Sequence, residues 1–266
     1  MPPSHDLPSV ADGRRLPRKG QRPVQFERFL SLLRALERER VEYALVGAVA
    51  MNLHGIARAT EDVDLFIRPE RENVQRLTRA LRSMWDDTDI DQITLEDLSG
   101  EYPMIRYGPP GEDFVIDLMS RLGDTFHFGD IETERMRVED AEVRIATPRM
   151  LYRMKKDTVG SLTEPMPPPC ATSSSSARSN MPVQRFRSFE DARRAFWLAP
   201  GDPKLLARIR SLWEFSARLA PCIMPRGVHK FCSIEEANQD RDLWTQRRIR
   251  SLRATRLRSR SGVADP

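Results

Sequence analysis

The stretch VGAVAMNLHGIARATEDVDLFI, residues 46–67, contains the pattern that decides the fold. Its last six residues, DVDLFI, alternate carboxylate and apolar side chains, which predicts a strand with one polar face. Asp62 and Asp64 are two positions apart in this strand, so both carboxylates point to the same side. Two acids that face one space repel each other unless a cation lies between them. The pattern therefore predicts a cation site on this strand.

A third acid, Asp117, lies in the segment DFVIDLM at residues 113–119, which is typical of a second strand. Three carboxylates on adjacent strands can hold two divalent ions, and oxygen ligands suit Mg²⁺ (or Mn²⁺), which also binds substrate phosphates. We therefore expect catalytic metal ligands at Asp62, Asp64 and Asp117. Taken alone, an Asp-x-Asp pair on a strand is more often a solvated edge, because short motifs have a high false-positive rate.

A glycine follows the first short apolar strand, at Gly47, and a helical turn or two comes after it. A strand-to-helix turn of this kind lets backbone N–H groups approach a phosphate closely. Gly47 and Ala48 are therefore candidate nucleotide-binding residues. Arg58 and Lys155 are further candidates for contacts with phosphate or with an acceptor, although a lysine on a helix is usually just solvated.

The rest of the pattern predicts an α+β domain over residues 24–158, with a mixed sheet flanked by helices. Amphipathic periodicity predicts helices, and short apolar or alternating runs predict strands. The helices are expected at 24–40, at 70–85 and from Pro148, and the further strands at 43–46, 132–138 and 141–145.

The remaining segments differ in composition. Residues 1–23 have no apolar core of a signal peptide and read as a flexible leader, so we expect a cytoplasmic location and no membrane contact. Residues 159–180 contain three consecutive prolines and four consecutive serines, which predicts a disordered linker. Residues 181–260 are expected to form a small helical module, with helices at 189–197, at 203–219 and from Ser233.

The positive charge is concentrated near the end of the chain. Residues 247–260 carry seven arginines and no acid, whereas the net charge of the whole chain is +4, so the rest of the chain carries −3. Such a basic tail either binds a polyanion such as nucleic acid or is the solvated end of a helix. The three cysteines form no C-x-x-C pair, so a zinc site or a disulfide framework is not expected.

Residues 24–157 resemble nucleotidyltransferases of the AbiEii type, toxins of bacterial toxin–antitoxin pairs within the DNA polymerase β-like superfamily. The resemblance rests on Gly47-Ala48, His54-Gly55, Arg58-Ala59-Thr60, Asp62-Val63-Asp64 and the late helix at 146–155. It implies the nucleotidyltransferase fold, Mg²⁺ and an NTP substrate, with metals at the three acids and Lys155 directed toward the site. Ala48 departs from the family, which has Gly or Ser there, and the missing hydroxyl would weaken phosphate binding.

A larger departure follows Asp157, where the family continues into an Arg-x-x-Asp-x-x-Asp type element. Reverse translation of residues 159–174, read one base out of register, permits the string RIPDRADAAALRDKF, which the family leads one to expect. We interpret the chain as a nucleotidyltransferase domain fused out of frame to a small, uncharacterised, antitoxin-like helical protein that begins at Met181.

Three functions are compatible with these features. The first is transfer of a nucleotidyl group from an NTP to a hydroxyl of RNA (tRNA, for example) or protein, by a toxin with an antitoxin partner. The alternative is a catalytically impaired domain fused to an antitoxin-like, partner-binding module. The third is nucleic-acid binding through the arginine tail.

Overall fold

The computed structural model describes residues 25–56, 59–100, 104–158, 188, 198–219 and 225–261. The predicted leader at 1–23, the linker at 159–180, the helix at 189–197 and the candidate residue Arg58 lie outside the described residues.

The described residues alternate helices and strands in the first half of the chain and are mainly helical near its end. The helices are α1 (Gln25–Arg38), α2 (Gly47–Leu53), α3 (Arg71–Arg82), α4 (Leu95–Ser99), α5 (Pro148–Thr158), α6 (Pro203–Leu219) and α7 (Ile234–Ser261). The strands are β1 (Tyr43–Leu45), β2 (Asp62–Ile67), β3 (Met104–Gly108), β4 (Val115–Met119), β5 (Arg121–Leu122), β6 (Phe126–His127), β7 (Thr133–Val138), β8 (Ala141–Ala146) and β9 (Gly227–Phe231).

A mixed seven-stranded sheet has the order β7-β8-β1-β2-β4-β3-β9, and β5 and β6 form a separate hairpin. The central strands β2 and β4 are parallel, and their register sets Asp64 opposite Asp117. Strand β3 is antiparallel to β4, and β9 is antiparallel to β3 at the edge of the sheet. The architecture is the α+β arrangement that the sequence predicts, a mixed sheet flanked by helices and followed by a helical segment.

One face of the sheet carries the larger apolar core. Residues 63, 65 and 67 of β2 point into it, and helices α1 and α3 cover them. Helix α6 belongs to this core as well, because Trp213 packs edge-on against Phe26 and Phe29 at centroid distances of 5.8 and 5.7 Å. The C-terminal part of the chain therefore packs directly on the first helix.

The opposite face holds the acids and a smaller apolar cluster. Because side chains alternate along a strand, Asp62, Asp64 and Phe66 share this face. Phe66 packs with Met150 and Met154 of α5. Helix α7 also covers this face, where Trp244 packs against Val115 of β4.

The predicted helices and strands that fall within the described residues occur within a few positions of their expected bounds, and β2 has the bounds that the sequence predicts. Strands β3, β5, β6 and β9 and helix α4 were not predicted. Strand β9 falls within the segment expected to be helical, so this segment also contributes to the sheet.

Candidate metal and nucleotide site

The three predicted carboxylates converge at the centre of the sheet. One oxygen each from Asp62, Asp64 and Asp117 lies within 4.8 Å of the other two. Asp117 is fully buried, and the other two are partly buried. Strand alternation and the parallel β2–β4 register explain this, because they place all three acids on one face of adjacent strands.

Burial disfavours the charged forms of Asp64 and Asp117, and repulsion from neighbouring carboxylates adds to this effect. Burial raises the pKa of the Asp64 carboxyl well above its usual range, and the charges of Asp62 and Asp117 raise it further. Burial also raises the pKa of Asp117, although Arg106 and Arg241 stabilise its charged form. The cluster is therefore expected to bind a cation or a proton in the space between the carboxylate oxygens.

The turn at Gly47 is shaped around Asp64. Gly47 has a φ of +66°, and a Cβ at this position would overlap the Asp64 carboxylate. The backbone N–H of Ala48 donates a hydrogen bond to that carboxylate. Val46 donates its N–H to the Asp64 carbonyl oxygen at 3.0 Å, so the turn is fixed to β2 on both sides of the glycine. Gly47 and Ala48 thus lie at the acids, and only glycine fits at the first position.

Thr60 orients the first acid. Its hydroxyl donates a short hydrogen bond to Asp62 Oδ1. The Arg-Ala-Thr motif in the sequence thus includes a residue that touches the cluster, although sequence reasoning did not assign Thr60 a role.

Arg106 forms a two-point ion pair with Asp117 inside the protein. Its Nε donates to Asp117 Oδ1 at 2.9 Å and its Nη2 donates to Oδ2 at 3.2 Å. Both side chains are fully buried, and the two residues face each other across the β3–β4 register. Sequence reasoning missed Arg106 because strand β3 was not predicted.

Arg241 of α7 also reaches the acids. Its Nη2 lies 2.9 Å from Asp62 Oδ2 and 3.1 Å from Asp117 Oδ2. Burial opposes the charge of Arg241, but the acids Asp62, Asp117 and Asp64 outweigh this effect and raise its pKa. One guanidinium nitrogen therefore bridges two of the three candidate metal ligands.

Lys155 lies on the exposed side of α5, next to the buried Met154. It lines an apolar cavity of about 590 Å³ together with His54 and Tyr152. Helix α5 covers the face that carries the acids, but the cavity that Lys155 lines includes none of them, so its role at the site stays a prediction.

His54 of the His-Gly motif has a structural position. Its Nε2 lies 2.9 Å from the carbonyl oxygen of Ala146, and the ring is buried. This contact joins the end of α2 to the end of β8, just before α5 begins.

Comparison with known proteins supports the sequence resemblance. Residues 28–155, just under half of the chain, match the family model described as nucleotidyl transferase AbiEii toxin, type IV TA system. The crystal structure of a candidate nucleotidyltransferase from Thermotoga maritima is 14% identical and covers 52% of this chain and 86% of its own, with a TM-score of 0.34. Among curated proteins, none matches the sequence. No helix in the described residues is long and apolar enough to cross a membrane.

Proposed function

We propose that residues 24–158 form a metal-dependent nucleotidyltransferase domain, which transfers a nucleotidyl group from an NTP to a hydroxyl of RNA or protein. We further propose that it acts as the toxin of a toxin–antitoxin pair, as the description of the matching family model suggests. The observation that carries the proposal is the convergence of three carboxylate oxygens within 4.8 Å on adjacent strands.

The donor set fits the proposed metal. Asp62, Asp64 and Asp117 offer only oxygen ligands, and hard cations such as Mg²⁺ and Mn²⁺ prefer oxygen. Burial raises the pKa of Asp64, and the neighbouring charges of Asp62 and Asp117 raise it further. A divalent cation would neutralise those charges. When bound at such a site, the ions activate the attacking hydroxyl and stabilise charge on the leaving pyrophosphate.

In the proposed reaction, the acceptor hydroxyl oxygen forms a bond to the α-phosphorus of the NTP. The bond from that phosphorus to the oxygen bridging to the β-phosphate breaks, and pyrophosphate leaves with its electron pair. The hydroxyl proton passes to a carboxylate of the cluster. In our proposal Gly47 and Ala48 approach the phosphates of the NTP, and Lys155 and Arg58 bind phosphate or acceptor.

A second candidate is a catalytically impaired domain fused to an antitoxin-like module. It is favoured by Arg241, whose Nη2 bridges Asp62 and Asp117, and by the missing family element after Asp157. The two candidates differ in whether the chain as it stands transfers nucleotides.

The test is transfer of label from α-labelled NTPs, with Mg²⁺ or Mn²⁺, to total tRNA and to protein of a bacterial lysate. It compares the full chain with a version in which residues 159–266 are replaced by the in-frame ending RIPDRADAAALRDKF. We expect weak or absent transfer by the full chain and clear transfer by the restored version. Asp62→Ala in the restored version is expected to remove the transfer.

Two results would contradict these expectations, and they bear on different candidates. Robust transfer by the full chain that depends on Asp62 would show that the missing element is dispensable and would reject the impaired-domain candidate. Absence of transfer by a folded restored version, with every NTP and acceptor, would reject the enzymatic function.

A further inference from the structure

We propose that residues 225–250, here named the C-terminal strand–helix unit, inhibit the site by placing the Arg241 guanidinium where a divalent cation would bind. This inference rests on the proposed function, because it takes Asp62, Asp64 and Asp117 as metal ligands. It adds to that function a competing cation supplied by the chain itself.

The position of Arg241 carries the inference. Its Nη2 lies 2.9 Å from Asp62 and 3.1 Å from Asp117, so a positive charge already lies between two of the three carboxylates. A metal ion bound to the same oxygens would meet this guanidinium at close range, and like charges repel. Arg241 and a divalent cation therefore compete for the same oxygens.

The strand of the unit anchors it to the edge of the sheet. Strand β9 pairs with β3 in antiparallel register from Met104–Phe231 to Gly108–Gly227. At the far end of this ladder, a Cβ on Gly108 would overlap the carbonyl oxygen of Pro225, so the two backbones approach more closely than a side chain would allow. Strand addition to an exposed edge is a common way of binding an extended segment.

The helix of the unit makes further contacts around the acids. Arg248 Nη1 lies 2.6 Å from Glu61 Oε1, next to Asp62 in sequence. Trp244 packs against Val115 of β4. Asp240 accepts a hydrogen bond from Arg106 Nη1 at 3.3 Å, so the helix also contacts the arginine that holds Asp117. These contacts fix the direction from which Arg241 enters.

The helix also restricts the space in front of the acids. The cavity beside Asp62 is lined by Thr60, Glu61, Arg241, Trp244 and neighbouring residues, and its volume is about 260 Å³. Ligand pockets usually have volumes of roughly 300–1,000 Å³. With the unit in place, the volume of this cavity is therefore small for an NTP.

The contact of Arg241 is suited to displacement. Its side chain is 35% exposed, and it reaches the acids through a single nitrogen rather than through a two-point pair. Partly exposed ion pairs of this kind are weak in comparison with buried two-point pairs. A divalent cation at sufficient concentration is therefore expected to release Arg241.

The test is calorimetric titration of the full chain with MnCl₂ in metal-free buffer, for wild type, Arg241→Ala and Arg241→Gln. The matched control is Arg247→Ala, which removes an exposed arginine of the same helix. We expect Mn²⁺ to bind both Arg241 variants at least about tenfold more tightly than wild type, because a competing charge-assisted hydrogen bond is removed. The control is expected to bind as wild type does.

A second measurement does not depend on the folding of any variant. In wild type, saturating Mn²⁺ is expected to increase the hydrogen exchange of backbone amides in α7 around Arg241, because the helix loses the contact of this side chain with the acids. Exchange that is unchanged at saturating Mn²⁺ would overturn the inference.

The outcomes separate the inference from the proposed function. Equal Mn²⁺ affinity in wild type and the folded Arg241 variants would overturn the inhibitory role of Arg241, but it would not contradict the proposed metal site. Absence of Mn²⁺ binding by folded Arg241 variants would overturn both the metal site and the inference.

Discussion

Strand β3 and the C-terminal strand–helix unit each supply a guanidinium to Asp117, but the two regions hold it in different ways. Arg106 of β3 is fully buried, makes a two-point pair with Asp117 and faces it across adjacent strands. The Arg241 side chain is 35% exposed, and a single nitrogen of it contacts both Asp62 and Asp117. Arg241 lies 124 positions after Asp117 in the sequence. The first pair is part of the sheet, and the second is a contact that another cation can replace.

The comparison shows how Asp117 can pair with Arg106 inside the sheet and still belong to the proposed cation-binding cluster. Arg106 offsets part of the cost of burying the Asp117 charge, although burial still raises the pKa of this acid. Asp62 and Asp64 receive no such partner from β3. Their negative charge is left for a cation from outside the sheet, which in this chain is Arg241.

The largest expected effect concerns the identity of the cation site. Adding Asp64→Asn to Arg241→Ala is expected to lower Mn²⁺ affinity more than about 100-fold, because even groups that only support metal ligands contribute roughly 10–100-fold. Calorimetry measures the change, with the exposed Asp124→Asn as the control. If the double variant keeps the affinity of Arg241→Ala, the metal binds elsewhere and the two regions do not compete.

Stability measurements compare the two arginines directly. Arg106→Met is expected to lower the free energy of unfolding by about 3–5 kcal/mol, since it leaves the Asp117 charge buried without its partner. Arg241→Met is expected to cost no more than about 1 kcal/mol, because its side chain is partly exposed. Urea unfolding of the metal-free proteins measures both. Equal losses would show that the C-terminal unit is as much a part of the domain as β3 is.

The convergence of the three acids was predictable for a local reason. Alternation defines β2 and an apolar run around Asp117 defines β4, so once these two strands pair, strand geometry places Asp62, Asp64 and Asp117 on one face. Gly47 was predicted as a phosphate contact, but its conformation follows from the close approach of Asp64. Local patterns thus identified the residues without identifying every contact.

The two arginines were beyond local patterns. Strand β3, MIRYG, is as short and as buried as β4, but Arg106 and Gly108 interrupt its apolar residues, so no apolar run marks it. Arg241 lies on a helix with many charged residues, and nothing in its sequence neighbourhood separates it from arginines that face solvent. Its role depends on the pairing of β9 with β3, a long-range contact that requires the folded sheet.

A smaller effect is expected from a contact that supports Arg241 without touching the cluster. Arg248→Ala removes the ion pair with Glu61. The side chains of Arg248 and Glu61 are 13% and 29% exposed, respectively. It weakens the docking of α7 but leaves the Arg241 guanidinium in the chain. We expect Mn²⁺ affinity to rise only a few-fold, less than in Arg241→Ala, with Arg247→Ala again as the control. A rise as large as that of Arg241→Ala would assign the inhibition to the helix as a whole.

The smallest effect concerns the pH dependence of the metal-free protein. The pKa of Asp64 is raised in the folded state by burial, Asp62 and Asp117, whereas in the unfolded chain it is near the ordinary value of about 4. Between these two values the folded state binds more protons than the unfolded state. The contribution of Asp64 to stability is therefore most favourable at low pH and declines as pH rises through the folded pKa.

Asp64→Asn removes this titration. The difference in unfolding free energy between Asp64→Asn and wild type, measured with EDTA at a series of pH values from about 4 upward, is expected to move in favour of the variant as pH increases. Because the acids interact, the slope reports the pair with Asp117 as well as Asp64 itself. Arg241→Ala is expected to extend the decline to higher pH, since the guanidinium lowers the pKa of Asp64 in wild type. If the difference in unfolding free energy between Asp64→Asn and wild type does not change with pH, Arg106 and Arg241 already neutralise the acids. The distinction between strand β3 and the C-terminal strand–helix unit would then be lost.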